Sequence, residues 1–362
     1  MKVIRSLIAA TTALTVSAAN ATDLEVMHWW TSGGEAAAVN EFAKAFNATG
    51  NNWVDAAIVG GEQARSVMVS RILGGDPMGA FQFNHGRQAE ELIEAGVLRD
   101  ITDIAEAEGW TSMVNPPSLL AACTVDGRVY CAPVNIHSWQ WLWLSHKAYS
   151  DAGVDVPANW DEFVAAAPAL EKAGILPMAM GQQGWQQSGA FNVFMASLLP
   201  SEVFMSVYGD KDTAVAGGAD VAKVFKAASD AREMAANSTV QNWNDATNLV
   251  ITGKAGGQIM GDWAQGEFSV AGSVAGKDYS CLPGLGSNPR LSTGGDAFYF
   301  PVLKDAAQIK AQTELATLML KPDTQVAFNL KKGSLPVRGD IDLSAANDCM
   351  QKGLGLLADG AL

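Results

Sequence analysis

Residues 24–46 read LEVMHWWTSGGEAAAVNEFAKAF, and their order predicts the architecture. Leu24-Glu25-Val26-Met27 alternates as a short strand, and His28-Trp29-Trp30 leads into a polar, glycine-containing turn. Ala38, Phe42, Ala45 and Phe46 then recur at helical spacing, which predicts a helix from about Glu35 to Phe46. Working outward, a second strand is expected near Trp53 to Val59 and a second helix from Gln63 to Leu73. A third strand follows at Ala80-Phe81-Gln82-Phe83. Strand, helix, strand, helix, strand describes a parallel sheet with helices on both faces, so the fold class is α/β.

The same signals continue along the chain. Ser138 to Leu144 alternates strictly and is read as a strand with Trp139, Trp141 and Trp143 on one face. Asn159 caps a helix that Glu162, three residues on, completes as a capping box. Val221, Val224, Phe225 and Ala228 form an apolar stripe, and Ile259-Met260-Gly261-Asp262-Trp263 reads as a strand breaking into a loop. Ala297 to Pro301 is a strand, and Glu314 to Leu320 lies in a helix. At ~150 residues per domain, 362 residues suggest two domains. With no internal repeat and no long linker, two α/β lobes crossed more than once by the chain are expected.

Composition narrows the function classes. A formal charge of −14 lacks the basic face of a nucleic-acid binder. Hydrophobic residues at 48% against 17% charged residues describe a globular chain. Past the N-terminus no apolar run reaches the ~18 residues of a membrane helix. At the N-terminus, Lys2 and Arg5 precede an apolar run from Leu7 to about Ala18, and Ala19-Asn20-Ala21 supplies small residues at a cleavage site. Residues 1–21 are therefore read as a secretory signal peptide. No Cys follows the run, so the exported protein is expected in the periplasm without a lipid anchor.

In an oxidising compartment the four Cys allow three pairings. Cys123 and Cys131 flank a hairpin signal at Asp126-Gly127. If its loop is Asp126-Gly127-Arg128, the two sulfurs face each other, so Cys123 pairs with Cys131 and Cys281 with Cys349. A zinc site is the rival, but close Cys or His pairs are absent.

Catalytic signatures fail. Gly-x-Ser-x-Gly, His-Glu-x-x-His and Gly-x-Gly-x-x-Gly do not occur. Gly272 to Lys277 resembles a phosphate loop, but it is one residue short between its glycines, and Asp278 stands where Ser or Thr belongs. A secreted glycosidase, with Asp262 and Glu267 or Asp296 as its acids, remains the alternative from another class. Eleven Trp speak for something else. Trp30, Trp243, Trp263 and Trp185 sit in polar turn contexts, whereas Trp53, Trp110 and Trp160 suit a core. Indole faces flanked by Asn, Gln, Asp and Lys suit a sugar, whose C–H faces stack on the rings while its hydroxyls need convergent polar partners.

Several motifs, in order, carry a resemblance over nearly all of the chain after residue 21. They are Met27 to Glu35, Leu73-Gly74-Gly75-Asp76-Pro77, Ala80 to Phe83 and Tyr130-Cys131-Ala132-Pro133-Val134-Asn135-Ile136-His137. Asn159-Trp160-Asp161-Glu162-Phe163, Met260-Gly261-Asp262-Trp263-Ala264 and Lys331 to Arg338 complete the series. The chain resembles an extracellular solute-binding protein of family 1 from a bacterial ABC sugar transporter, in the glucose or monosaccharide group. That resemblance implies a two-lobed periplasmic-binding-protein fold with a ligand cleft between lobes joined by a hinge. The implied boundaries are 22–134 plus about 290–335 for lobe 1, and 135–289 plus about 336–362 for lobe 2.

It also implies a monomeric receptor without a cofactor. This receptor captures glucose or a close aldose by lobe closure and delivers it to inner-membrane ABC permease subunits. A disaccharide or polyol binder is the runner-up, which participation of Trp185 would favour, and a role beside a chemoreceptor is equally compatible. By the same resemblance Trp29 or Trp30 and Glu35 line one side of the cleft, with Gln82 and Asn84 or His85 bonding hydroxyls. Trp243 and Asp262-Trp263 come from the other side, and Asp296 and Lys332 add polar contacts, with Lys331 a rival to Lys332. Members of that group usually continue with further helices, one of which brings a His to the sugar. Here the sequence stops at Leu362, so either it is shortened or lobe 2 is smaller than usual.

Overall fold

A computed structural model describes residues 21–360; most of the expected signal peptide lies outside the described residues. The opening stretch folds as expected. Strand β1 (Asp23–His28) runs into helix α1 (Gly33–Asn47), then β2 (Asn52–Ala57), α2 (Gly61–Leu73) and β3 (Ala80–Asn84). β1 pairs in parallel with β2 and β3, in register Asp23 with Asn52 and Val26 with Ala80. The sheet is completed by two strands from later in the chain. β11 (Asp296–Tyr299) lies antiparallel to β3 and to β6 (Cys131–Pro133), giving the order β2-β1-β3-β11-β6.

A second sheet forms from β7 (Trp141–Ser145), β8 (Leu176–Met178), β9 (Ala255–Met260) and β10 (Tyr279–Pro283), in the order β10-β7-β9-β8. Because β7 is an inner strand, both its faces are buried. Trp141 and Trp143 enter the core shared with the first sheet, and Leu142 and Leu144 enter a second core with Phe163, Leu170 and Phe194. The expected alternation is real, but the strand starts three residues later than predicted. The Ser138 N–H is taken by the Asp262 carboxylate (2.8 Å) and the Trp139 N–H by Ser292 Oγ (3.2 Å), so neither joins a ladder.

Local chemistry places the other elements. Asn159 Oδ1 accepts the Glu162 N–H (3.0 Å), while the Glu162 carboxylate reaches back to the Ala158 N–H (2.8 Å), so the box closes one residue earlier than its usual form. The helix Ala219–Met234 buries Val221, Val224, Ala227, Ala231 and Met234. Phe225, expected in that stripe, is 60% exposed, because burial runs along 221-224-227-231 and passes it by. The hairpin of β4 (Thr124–Val125) and β5 (Arg128–Val129) turns on two residues, Asp126 and Gly127, both with positive φ. Its register therefore sets Tyr130, not Cys131, opposite Cys123. Cys131 departs into β6, and the Cys123–Cys131 bond still forms with its Cα atoms 5.1 Å apart. Cys281 of β10 is bonded to Cys349 at the start of the helix Asp348–Ala358.

The chain passes between the sheets in three segments, 134–140, 284–295 and 333–347, and we propose lobe boundaries within them. These segments hold each other. Ile136 and Leu335 exchange both backbone hydrogen bonds (2.7 and 3.0 Å), and the His137 N–H donates to Gly294 O (2.9 Å). No helix among the described residues is long and apolar enough to cross a membrane.

The Cys281–Cys349 bond closes a loop with a sequence separation of 68 and ties the last helix to the second sheet. Replacing both residues by Ser should lower unfolding stability by about 4 kcal/mol on the loop-entropy relation, read as a lower midpoint in urea.

Candidate functional site

Between the sheets lies a cavity of about 540 Å³. Its first wall stands at the carboxyl ends of β1 and β3, where open α/β sheets leave a crevice. Antiparallel β11 brings Asp296 beside Asn84, so the start of one strand meets the end of the other. After β1 the chain turns through Trp29, Trp30, Thr31 and Ser32 into α1. Trp29 is half-buried, lies stacked near Phe83 (6.4 Å) and presents its ring to the cavity. Trp30 touches the cavity but is only 1% exposed, held against Phe298 and Phe328.

Three buried charged side chains define the polar part. Lys332 Nζ donates to Glu35 Oε1 (2.8 Å) and stands 5.4 Å from the Trp30 ring centroid, while Ser32 Oγ donates to Glu35 Oε2 (3.2 Å). Lys332 is 2% exposed, whereas Lys331 points to solvent, so the structure places Lys332 at the cavity. Asp296 accepts from Gln82 Nε2 (2.8 Å), Asn135 Nδ2 (2.9 Å) and His137 Nδ1 (3.4 Å). Burial alone would raise its pKa. The charges of His137 and Lys332 and the hydrogen bonds of His137 and Asn135 overcome that and hold the carboxyl well below the usual range.

The second wall is aromatic and comes from the other sheet. Trp263, at the N-terminus of the helix Ala264–Val270, meets Trp139 edge-on (4.8 Å), and Trp139 meets Trp185 (5.6 Å). Trp243, first residue of the helix Trp243–Ile251, lies 6.5 Å from Trp263 between Asn242 and Asn244.

Of the residues expected at the site, Trp29, Trp30, Glu35, Asn84, Trp243, Trp263, Asp296 and Lys332 line the cavity. Gln82, His85 and Asp262 do not. Gln82 is fully buried behind the wall, donating to Asp296 and accepting the Trp29 N–H (3.1 Å), so it orients two lining residues. His85 packs near Gly295 with Nε2 unpartnered, and burial, followed by the nearby His137, pushes its pKa down to about 4. Asp262 receives the Ser138 N–H on Oδ2 and has no partner for Oδ1; burial pushes its pKa up to about 7. His137, Trp139, Trp185, Asn242 and Asn244 line the cavity without having been named as site residues. The signal for three of them was present, since Trp185 and the two Asn sit in the polar aromatic turns already singled out. His137 and Trp139 needed the crossing geometry. Among the described residues no cluster of His, Cys, Asp and Glu could hold a metal ion.

The model of the family described as "Bacterial extracellular solute-binding protein" matches residues 30–326. The "Probable sugar-binding periplasmic protein" of Brucella melitensis is 35% identical, over 92% of this chain and 79% of its own. That of Rhizobium meliloti is also 35% identical, over 96% and 84%. Among solved structures, a bacterial solute receptor with an exclusive preference for β-D-galactopyranose superposes with a TM-score of 0.74 at 17% identity, covering 93% of this chain and 86% of that one. An ABC-transporter solute-binding protein of Thermotoga lettingae, bound with α-D-tagatose, gives 0.70 at 17%, covering 94% and 86%. At that identity the two structures speak for the two-lobed fold.

Two measurements test the electrostatics. Lys332→Met should cost about 3–5 kcal/mol in urea unfolding, because Glu35 is left buried and unpaired, and adding Glu35→Gln should restore part of the loss. A carboxyl at about 7 keeps a proton that the unfolded chain releases near its ordinary value of ~3.9. Stability from Asp262 is therefore present at low pH and is lost as pH rises from about 4 to 7. Asp262→Asn should flatten the urea midpoint over that window relative to the wild type.

Proposed function

The chain belongs to the bacterial extracellular solute-binding protein family, and on that footing we propose that it is the sugar-capturing receptor of an ABC importer. In this reading it works in the periplasm as a monomer, closes its lobes on glucose or a close aldose, and presents the closed form to the membrane permease. A partner that distinguishes closed from open is what such a cycle requires. The observation that carries the reading is one cavity with indole rings on both walls and buried, pre-oriented hydrogen-bonding groups between them.

The hydrogen-bond capacity fits hydroxyls. A carboxylate has about four acceptor positions. Asp296 uses one on Oδ1 and two on Oδ2, which leaves an acceptor for a sugar O–H. Glu35 and Lys332 likewise keep an acceptor and donors beyond their mutual bond. Trp29, Trp243 and Trp263 supply apolar faces, and desolvation at the cleft strengthens each polar contact. Nothing in this cycle needs a cofactor or a covalent step. Of the acids named for a glycosidase, Asp262 is off the cavity lining, Glu267 accepts the Gly34 N–H (2.8 Å), and Asp296 alone lines the cavity, already accepting from Gln82, Asn135 and His137.

One observation favours a longer ligand. Trp263, Trp139 and Trp185 continue one another along the second wall, with successive ring centroids 4.8 and 5.6 Å apart. A disaccharide stacked along that row is the second reading.

Calorimetric titration with glucose, galactose, mannose, xylose and maltose separates the possibilities. Tight one-to-one binding of glucose or a near isomer is the expected result. Maltose binding at least tenfold tighter would move the reading to two rings, and silence with every sugar from a folded protein would end it. Trp29→Ala and Trp243→Ala, both half-exposed, should each weaken the bound sugar by about 1–3 kcal/mol with the fold intact.

A further inference from the structure

Glu267 touches no cavity atom, yet it sits where the two halves of the molecule meet. The helix Ala264–Val270 is anchored to the second sheet: Phe268 stacks on Tyr279 of β10 (4.1 Å) and on Trp143 of β7 (5.6 Å). Helix α1 is anchored to the first sheet and its flanking helix Pro322–Lys332, through Phe42 against Phe328 (4.2 Å) and Phe298 (6.0 Å). The two helices touch backbone to backbone. A Cβ at Gly34 would lie 2.5 Å from the Gly266 carbonyl carbon, and a Cβ at Gly266 would lie 3.0 Å from Lys331 O. Only glycine permits that approach.

At this contact Glu267 Oε1 accepts the Gly34 N–H (2.8 Å), while Ser32 on α1's own chain serves the Glu35 N–H. The exposed donors of α1's first turn are thus shared between a cap from its own lobe and a carboxylate from the other. Each partner borders a cavity wall. Ser32 and Glu35 start α1, Lys332 ends the helix Pro322–Lys332, and Trp263 immediately precedes the helix that carries Glu267.

We propose that Glu267 is a positioning residue that latches the lobes together, setting the Ser32–Glu35–Lys332 wall against the Trp263 wall in the spacing that binds sugar. The inference rests on the sugar-receptor reading for its ligand, but the latch itself exists in the sugar-free protein. Without the carboxylate, the Gly34 N–H has no partner and the two glycine backbones have only van der Waals contact to hold them.

The test compares the full protein with Glu267→Ala and with Glu267→Gln, which keeps an acceptor oxygen without the charge. Without sugar, the Ala variant should speed amide exchange at Gly34 on the order of fivefold and raise the radius of gyration in X-ray scattering. With D-glucose as probe it should bind several-fold more weakly, and Gln should recover at least half of each change. A role confined to stability would lower the unfolding midpoint without changing the radius of gyration, and that result overturns the proposal. So does unchanged exchange in the Ala variant, or altered exchange with unchanged glucose affinity. If the wild type itself ignores glucose, the choice of sugar fails, while the scattering comparison still decides the latch. Gly266→Ala is a second probe: its added methyl should widen the sugar-free form, and an unchanged radius in a folded variant again overturns the proposal.

Discussion

A single buried carboxylate organises the join between the two halves. Asp296 opens β11 at the point where the chain re-enters the first sheet, and it is 2% exposed. A charge so placed persists only when hydrogen bonds replace its lost hydration. Gln82 from β3 and Asn135 and His137 from the first crossing supply them, and the Asp296 N–H returns to Asn135 Oδ1 (2.8 Å). Asn135 also donates to Ser334 Oγ, which donates to Asn329, so the third crossing joins the same network. Three stretches of chain distant in sequence are held side by side by what one carboxylate requires.

The cavity inherits its chemistry from that arrangement. Because Asp296 is anchored from behind, its remaining lone pair faces the cleft without reorganisation. Lys332 and Glu35 do the same from neighbouring helix ends, each neutralising the other's burial. Breaking either network leaves an uncompensated buried charge, so the residues suited to bind polar ligand groups are also structural members of the first wall. The apolar half differs. Trp139, Trp185 and Trp243 stay partly exposed on the second lobe, and edge-to-face contacts with each other and with Trp263 fix their orientation at the cavity.

Two lobes joined in this way have a limited set of motions. Three crossings held by isolated backbone bridges form the hinge, and the glycine contact between α1 and the helix Ala264–Val270 lies beside it. Asp296 and Gln82 belong to the first sheet and Asn135 and His137 to the first crossing, so their hydrogen bonds tie that sheet to the hinge.

Much of this was legible in the sequence because it is local. The alternation of residues 24–27, the helical spacing of Ala38 and Phe42, the Asn159 cap and the Asp126-Gly127 turn each encode their own conformation through short-range sterics and hydrogen bonds. The polar aromatic turns pointed to most of the cavity for the same reason. What only the tertiary structure decided is which side chains face the cleft and which stand behind it. Gln82 and Asp262 sit within motifs indistinguishable from their neighbours', yet burial turns Gln82 into a brace and raises the Asp262 pKa, while Lys332 and not Lys331 turns inward. Those outcomes depend on desolvation and on partners tens to hundreds of residues away, such as Gln82 with Asp296 and Glu35 with Lys332. Local sequence determines conformation, whereas the polarity of a site is set by what the fold brings against each group.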